Sequence, residues 1–234
     1  LETLNIGENC IQDEGCAAIA QTKRATKLTS FIADGNWIGS DGAKALADST
    51  CFSELRRFTL NMNRLGDDGA IALAGSPGFP KLERLRLNSC RIGVAGALAL
   101  IQSKELTKLT QLVLSSNLLV EEDFIKLASS PHMPQLRSLD LQWNKIGVEA
   151  AEAIANSPFM RHYEELKLTT RNIGTHGIMA LAFSPLLAPT VRSYYLEKLS
   201  RNMLDDEALK RGIPKPQKME KEALIQALLK KSIG

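Results

Sequence analysis

The side chains able to do chemistry are few and scattered. Three histidines (His132, His162, His176) and four cysteines (Cys10, Cys16, Cys51, Cys90) stand in 234 residues, with no CxxC pair. That leaves little material for a zinc site or a disulfide framework and fits a reduced environment. No GxxxxGK(S/T), HExxH or GxSxG occurs, so phosphate cradling, zinc hydrolysis and a serine nucleophile lack their usual scaffolds. The histidines have no Cys, Ser and carboxylate set converging on them. No catalytic residue, metal ligand or cofactor is assigned. Recognition chemistry remains. Arg57, Arg84 and Arg86 carry guanidinium forks that match a carboxylate or phosphate, and Trp143, in a chain only 5% aromatic, has the bulk of an interface anchor.

What could bring these residues together is a period. Leu1, Leu28, Leu55, Leu82, Leu109, Leu136 and Tyr163 recur every 27 residues, and Val191 follows one residue late. Three residues on stand Leu4, Phe31, Phe58, Leu85, Leu112, Leu139 and Leu166; ten on, Ile11, Ile38, Leu65, Ile92, Leu119, Ile146 and Ile173; eighteen on, Ile19, Leu46, Leu73, Leu100, Leu127, Ile154 and Leu181. Such self-similarity marks a repeat architecture with interior columns. Each unit opens with a short alternation, as in LERLRL (82–87) or LRSLDL (136–141), which predicts a strand. Its second half, as in SDGAKALA (40–47), predicts a helix, with Ser40 or Asp67 placed to cap and Asp41, Asp68 or Glu149 near the positive end. Prolines 77, 131, 158 and 185 then end several helices. Asn9, Asn36, Asn63, Cys90, Asn117 and Asn144 form an eighth-offset column suited to a ladder of amide bonds to backbone. Glycines 39, 66, 93, 147 and 174 suggest a turn with positive φ.

The consensus L-x-x-L-x-L-x-x-(N/C)-x-(I/L)-G-x-x-G-A-x-x-L-A resembles the leucine-rich repeat, in particular the ribonuclease-inhibitor-like class with a full helix per unit. The junction in SSPHMPQLRSLDLQWNKIG (129–147) is similar to bacterial leucine-rich-repeat proteins. The resemblance implies an α/β right-handed solenoid, a horseshoe with a parallel concave sheet and convex helices, and a binding role for one of many possible partners. It also brings two alternatives: a small-GTPase regulator like the GTPase-activating protein for Ran, whose acidic C-terminal region this basic tail lacks, and the recognition arm of a larger enzyme such as a ubiquitin ligase.

Residues 1–190 are therefore read as seven repeats of that period or one residue longer, 191–212 as a degenerate last repeat, and 213–234 as a linker and an amphipathic capping helix with Ala223, Leu224, Ala227 and Leu228 on one face. The strand already under way at Leu1 points to sequence upstream. Irregular units stand out: Ala33 thins the second, Val120, Asp123 and Phe124 replace small residues in the fifth, and Arg171 interrupts the asparagine column in the seventh.

Offsets two, four, six and seven should face outward from the sheet. They yield the candidate partner-binding residues Arg57, Met62, Arg84, Arg86, Asp140, Gln142, Trp143 and Lys167, with Tyr195 from the eighth unit. Trp37 is expected to pack on its neighbouring turn. Charges at the first offset, Arg56 beside Glu83 and Arg137, Glu164, Arg192 in series, read as solvated pairing. A formal charge of +3 makes neither nucleic acid nor an anionic membrane the default partner, and no apolar run is long enough to span a bilayer. The expectation is a cytoplasmic protein-interaction scaffold, in the host cytosol if it is a secreted effector.

Overall fold

The computed structural model describes residues 1–22 and 27–231. The repeat period becomes strand, turn and helix: β1 (Thr3–Asn5), α1 (Gln12–Ala20), β2 (Ser30–Ile32), α2 (Ser40–Ala47), β3 (Arg57–Thr59), α3 (Gly66–Ala74), β4 (Arg84–Arg86), α4 (Val94–Ile101), β5 (Gln111–Val113), α5 (Glu121–Ala128), β6 (Ser138–Asp140), α6 (Val148–Ala155), β7 (Glu165–Lys167) and α7 (Thr170–Ala182). All seven strands pair in parallel and in chain order, each residue facing its equivalent one period on. Helices α8 (Pro189–Leu196), α9 (Arg201–Lys210) and α10 (Lys221–Lys231) follow. Residues 232–234, the end of the expected C-terminal helix, lie outside the described residues.

From the second unit on, the four predicted apolar columns are buried, and a fifth escapes the sequence reading: Phe52, Phe79, Leu106, Met133, Met160 and Leu187, in the loops returning to the next strand. Phe31 stacks on Phe58 (5.4 Å) and Phe52 (5.7 Å), so neighbouring aromatics fill the space beside Ala33.

Backbone groups at the unit ends are satisfied by side chains of the adjoining unit. Asn63 Oδ1 accepts the N–H groups of Asn36 and Ile38, while its Nδ2 donates to the carbonyls of Ala33, Leu60 and Asn61. Asn36, Asn117 and Asn144 repeat the arrangement. Cys90 donates its thiol to the carbonyls of Leu60 (3.1 Å) and Asn88 (3.4 Å) but has no oxygen for the N–H groups of Asn63 and Leu65. The ladder stops at Asn144, because Arg171 is exposed on a helical turn. A second ladder joins helix ends: Ser49, Ser76, Ser103, Ser157 and Ser184 each donate to the terminal helix carbonyl of the preceding unit.

Helix caps differ from expectation. Ser40 lies inside α2, and Asp67 caps the next helix: its carboxylate accepts from Gly93 (2.7 Å) and Gly96 (2.9 Å). Asp13 receives Gly39 (2.6 Å), and Glu121 receives Glu149 (3.1 Å). Odd-numbered units thus cap even ones with a negative charge at the helix dipole's positive end. The glycine reading is corrected accordingly. Gly66 and Gly174 have positive φ, but Gly39, Gly93 and Gly147 are extended; there a Cβ would crowd the capping carboxylate.

Small residues let the helices approach: a Cβ on Gly96 would lie 2.8 Å from that of Ala70, and one on Gly69 3.1 Å from that of Ala43. At the fifth unit Asp123 and Phe124 replace this Gly-Ala pair. Phe124 is buried, Asp123 turns back to accept from Val120 N (3.0 Å), and α5 packs far less closely on α4 than other neighbours do. A groove of 570 Å³ between the loops ending these helices is lined in part by Gln102, Lys104, His132 and Gln135. Ser130 bonds within its own helix, and His132 bridges instead, to Leu127 O (2.9 Å) through Nε2 and to the Tyr163 hydroxyl (2.6 Å) through Nδ1. A carbonyl only accepts, so Nε2 carries the proton and Nδ1 accepts from Tyr163.

Beyond β7 the reading of a further outward-facing strand is corrected: residues 189–196 are helical. Tyr195 is fully buried and donates its hydroxyl to Leu166 O (3.0 Å), occupying the edge of β7. The echo of spacing after Val191 lacks strand alternation, and Pro189 begins a helix. Arg192 is likewise buried, its Nε donating to Ala182 O (3.3 Å), so it does not extend the surface charge series. In α10, which packs on α8 and α9, Leu224, Ile225, Leu228 and Leu229 form the buried face and Ala223 is exposed.

Asn63→Ala is expected to lower the unfolding free energy by about 3 kcal/mol, because several buried backbone groups lose their partner at once; Cys90→Asn, which restores the missing acceptor, should raise it by about 1 kcal/mol. Urea titration checks both, and a neutral Asn63→Ala contradicts the ladder's role. Burial lowers the pKa of His132 from 6.5 to about 4. The unfolded chain therefore binds the proton first, and this residue's contribution is lost as pH falls from about 6.5 toward 4, by on the order of 3 kcal/mol. His132→Gln keeps a donor and an acceptor without titrating; acid unfolding as steep in the variant as in the parent would contradict the assignment.

Candidate protein-interaction surface

Side-chain alternation places offsets two and four of every strand on the side of the sheet away from the helices. Register brings Arg57 directly opposite Arg84, while Arg86 stands opposite Thr59 and Val113. Neighbouring parallel strands lie about 4.8 Å apart, so the three predicted arginines share one patch. All are exposed, and none forms an ion pair among the described residues.

Two strands further on the surface changes sign. Asp140 lies half-buried between Val113 and Lys167. Its carboxylate accepts from Gln142 N (2.9 Å); burial pushes its pKa up, outweighing that bond and the nearby charges of Lys167 and Arg86. Lys167 is paired to Glu165 (2.7 Å), which also accepts from Ser138. Those bonds hold the Glu165 carboxyl below its ordinary range and raise the Lys167 ammonium. Lys167 is thus a member of a closed pair, unlike the arginines.

The apolar candidates sit at the edge where strands turn into helices. Trp143 is 72% exposed and Met62 56%. They occupy the same repeat position three units apart, so they flank the sheet at separate points. Both have left-handed backbone, as do Glu8, Gly35, Ser89 and Ser116 in the same column. The turn imposes this φ whatever the side chain, at roughly 1 kcal/mol for a non-glycine residue. Gln142 is half-buried beside Trp143.

A parallel column two residues on escapes the sequence reading except at Trp37. Trp37, Arg64, Arg91 and Leu118 are exposed in register along this edge. Trp37 is 55% exposed, with the Arg64 guanidinium 4.0 Å over its ring, so it does engage its neighbouring turn but keeps an open face. The constant spacing of the column was a signal for it; its mixed residue types hide it. Tyr195 lies away from this surface, in the core.

Several of the groups with chemical potential are otherwise engaged. Both His132 nitrogens are bonded, and exposed His176 meets Glu152 (2.9 Å). Burial pushes the Cys16 and Cys90 thiols up to about 12, far from thiolate formation. Among the described residues no group of His, Cys, Asp and Glu is arranged to hold a metal ion, and no helix is long and apolar enough to cross a membrane. First-offset charges pair along the other edge, Arg56 with Glu83 and Arg137 with Glu164 (3.6 Å).

A family model described as Leucine Rich repeat matches residues 1–20, 25–47, 55–74, 80–100 and 132–155. The longest gap between matched segments, 101–131, contains the Asp123-Phe124 replacement, and 156–234 lie outside the match. Among solved structures the chain is similar to internalin C2 from Listeria monocytogenes, at 18% identity and a TM-score of 0.41, over 73% of this chain and 74% of that one. It is also similar to actin-binding site 2 of leiomodin-1, at 14% identity and a TM-score of 0.36, over 89% of this chain and 88% of that one. No curated protein sequence matches. The matched segments are similar to leucine-rich repeats, and seven strands paired in register at a constant period, each but the last followed by its helix before the next, make this chain an α/β solenoid.

Proposed function

We propose that the chain is a protein-interaction scaffold that holds a partner across the outward, concave face of its sheet. Arg57, Arg84, Arg86, Asp140, Gln142 and Trp143 are the central contacts, and Met62 and Lys167 extend them. The single observation that carries this reading is Trp143: an indole 72% exposed at the end of β6, on a turn whose geometry does not require it. An aromatic held in water on a rigid scaffold has the character of an interface anchor. The repeated core leaves the outward offsets free to vary, which suits recognition of a protein surface better than enclosure of a small substrate. Tyr195 has no part in the surface.

Replacing Trp143 by Ala and Arg84 by Glu together should reduce capture of the bound protein from cell extract by at least about thirtyfold, since loss of one anchor typically costs about 2 kcal/mol or more. Quantitative mass spectrometry on material eluted from immobilised parent and variant measures this. Unchanged recovery by a variant with the parent's melting temperature overturns the surface assignment.

A further inference from the structure

We infer that the partner is recognised through an extended acidic segment, with carboxylates at alternate positions, laid along β3 and β4. This rests on the sheet face being the binding surface and names the chemistry it receives.

Five arginines of the third and fourth units, Arg57, Arg64, Arg84, Arg86 and Arg91, are exposed and form no ion pair among the described residues. Within the same units Arg56, off the outward strand face, pairs with Glu83 and Lys81 with Glu54, and in the seventh unit Lys167 pairs with Glu165. Other exposed cations such as Lys44, Lys104, Arg161 and Arg171 also lack an ion pair among the described residues, but Arg57, Arg84 and Arg86 stand together on adjacent strands. Arg57 and Arg84 are directly opposite in the sheet, an arrangement of like charges that weakens strand pairing unless an anion lies between them.

The spacing selects the ligand. Arg84 and Arg86 are two residues apart on one face of β4, so their Cα atoms are separated by about 6.6 Å. Alternate side chains of an extended peptide repeat at the same distance, and each guanidinium can take a carboxylate bidentately. Arg57 supplies a third fork one strand away, and Arg91 continues the positive charge into the turn after β4.

The borders of the patch favour a peptide over a polynucleotide. On one side Asp34 is fixed by Asn61, whose N–H and Nδ2 donate to its carboxylate (2.8 and 3.1 Å). On the other stand Val113, buried, and Asp140. Positive potential is therefore two units wide, on the order of 10 Å, and a phosphate chain running along the array would meet carboxylates at both ends. A segment crossing the array parallel to the strands avoids both.

The test is fluorescence anisotropy with the full chain and three labelled probes: a short peptide alternating Glu with Thr, a peptide of the same composition with its Glu residues contiguous, and an oligouridylate of similar length. The alternating peptide is expected to bind tightest. Its affinity should fall with added salt and drop at least about tenfold in Arg84→Glu/Arg86→Glu, while Arg161→Glu, a charge reversal off the sheet, leaves it unchanged. Melting temperatures confirm that the variants fold. Equal loss in both variants, equal binding of the two peptides, tighter binding of the oligouridylate, or no saturable binding each overturns the inference. If the peptide fails while the Arg84→Glu/Trp143→Ala protein still loses its captured partner, the acidic-segment chemistry falls and the scaffold reading stands; if that variant also keeps its partner, both fall.

Discussion

The constraint on which this structure depends is backbone saturation across unit boundaries. Three-residue strands and helices of about two turns leave many N–H and C=O groups without partners inside a unit, and burying them unpaired is costly. The asparagine column settles the strand ends, the serine column the helix ends, and the acids of odd units the helix starts of even ones. Each device reaches into the neighbouring unit, so stability is a property of junctions between units. The fixed period is then a chemical necessity: a side chain must arrive at the same place in every turn to find its backbone partner.

Because these interior columns fix the backbone, the outward offsets two and four are free to vary in residue type. Their residues change from unit to unit, from Thr3 and Asn5 through the arginines to Glu165 and Lys167, without altering the register. A patch such as Arg57 with Arg84 is tolerated only on this footing. The ladders hold strands together firmly enough for like charges to sit side by side.

Much of this was legible in the sequence. Alternation gave the strand faces, and the constant spacing gave the register that joins Arg57 to Arg84. What stayed hidden involved relations between units. Asp67 looks like a cap for its own helix because local spacing cannot show that its carboxylate reaches the following one. Gly93 looks like a turn residue because a crowding carboxylate from the preceding unit is invisible in a local window. Tyr195 matched an outward position by counting, but the hydrophobic residues around it follow a helical spacing, and the unit that would expose it never forms a strand. Trp37 and Arg64 meet only because a column of mixed residue types remains in register.

The replacement of a Gly-Ala pair by Asp123 and Phe124 has a mechanical consequence. Everywhere else two layers resist bending, since both the sheet and the helices are continuous. Between α4 and α5 the sheet continues while the helices lose their close packing, as in a hinge made by scoring one side of a board. Curvature imposed on the array concentrates at that junction, which lies between the arginine patch and the segment bearing Asp140 and Trp143. The two halves of the recognition surface are therefore carried by stiffer blocks that meet at a compliant seam.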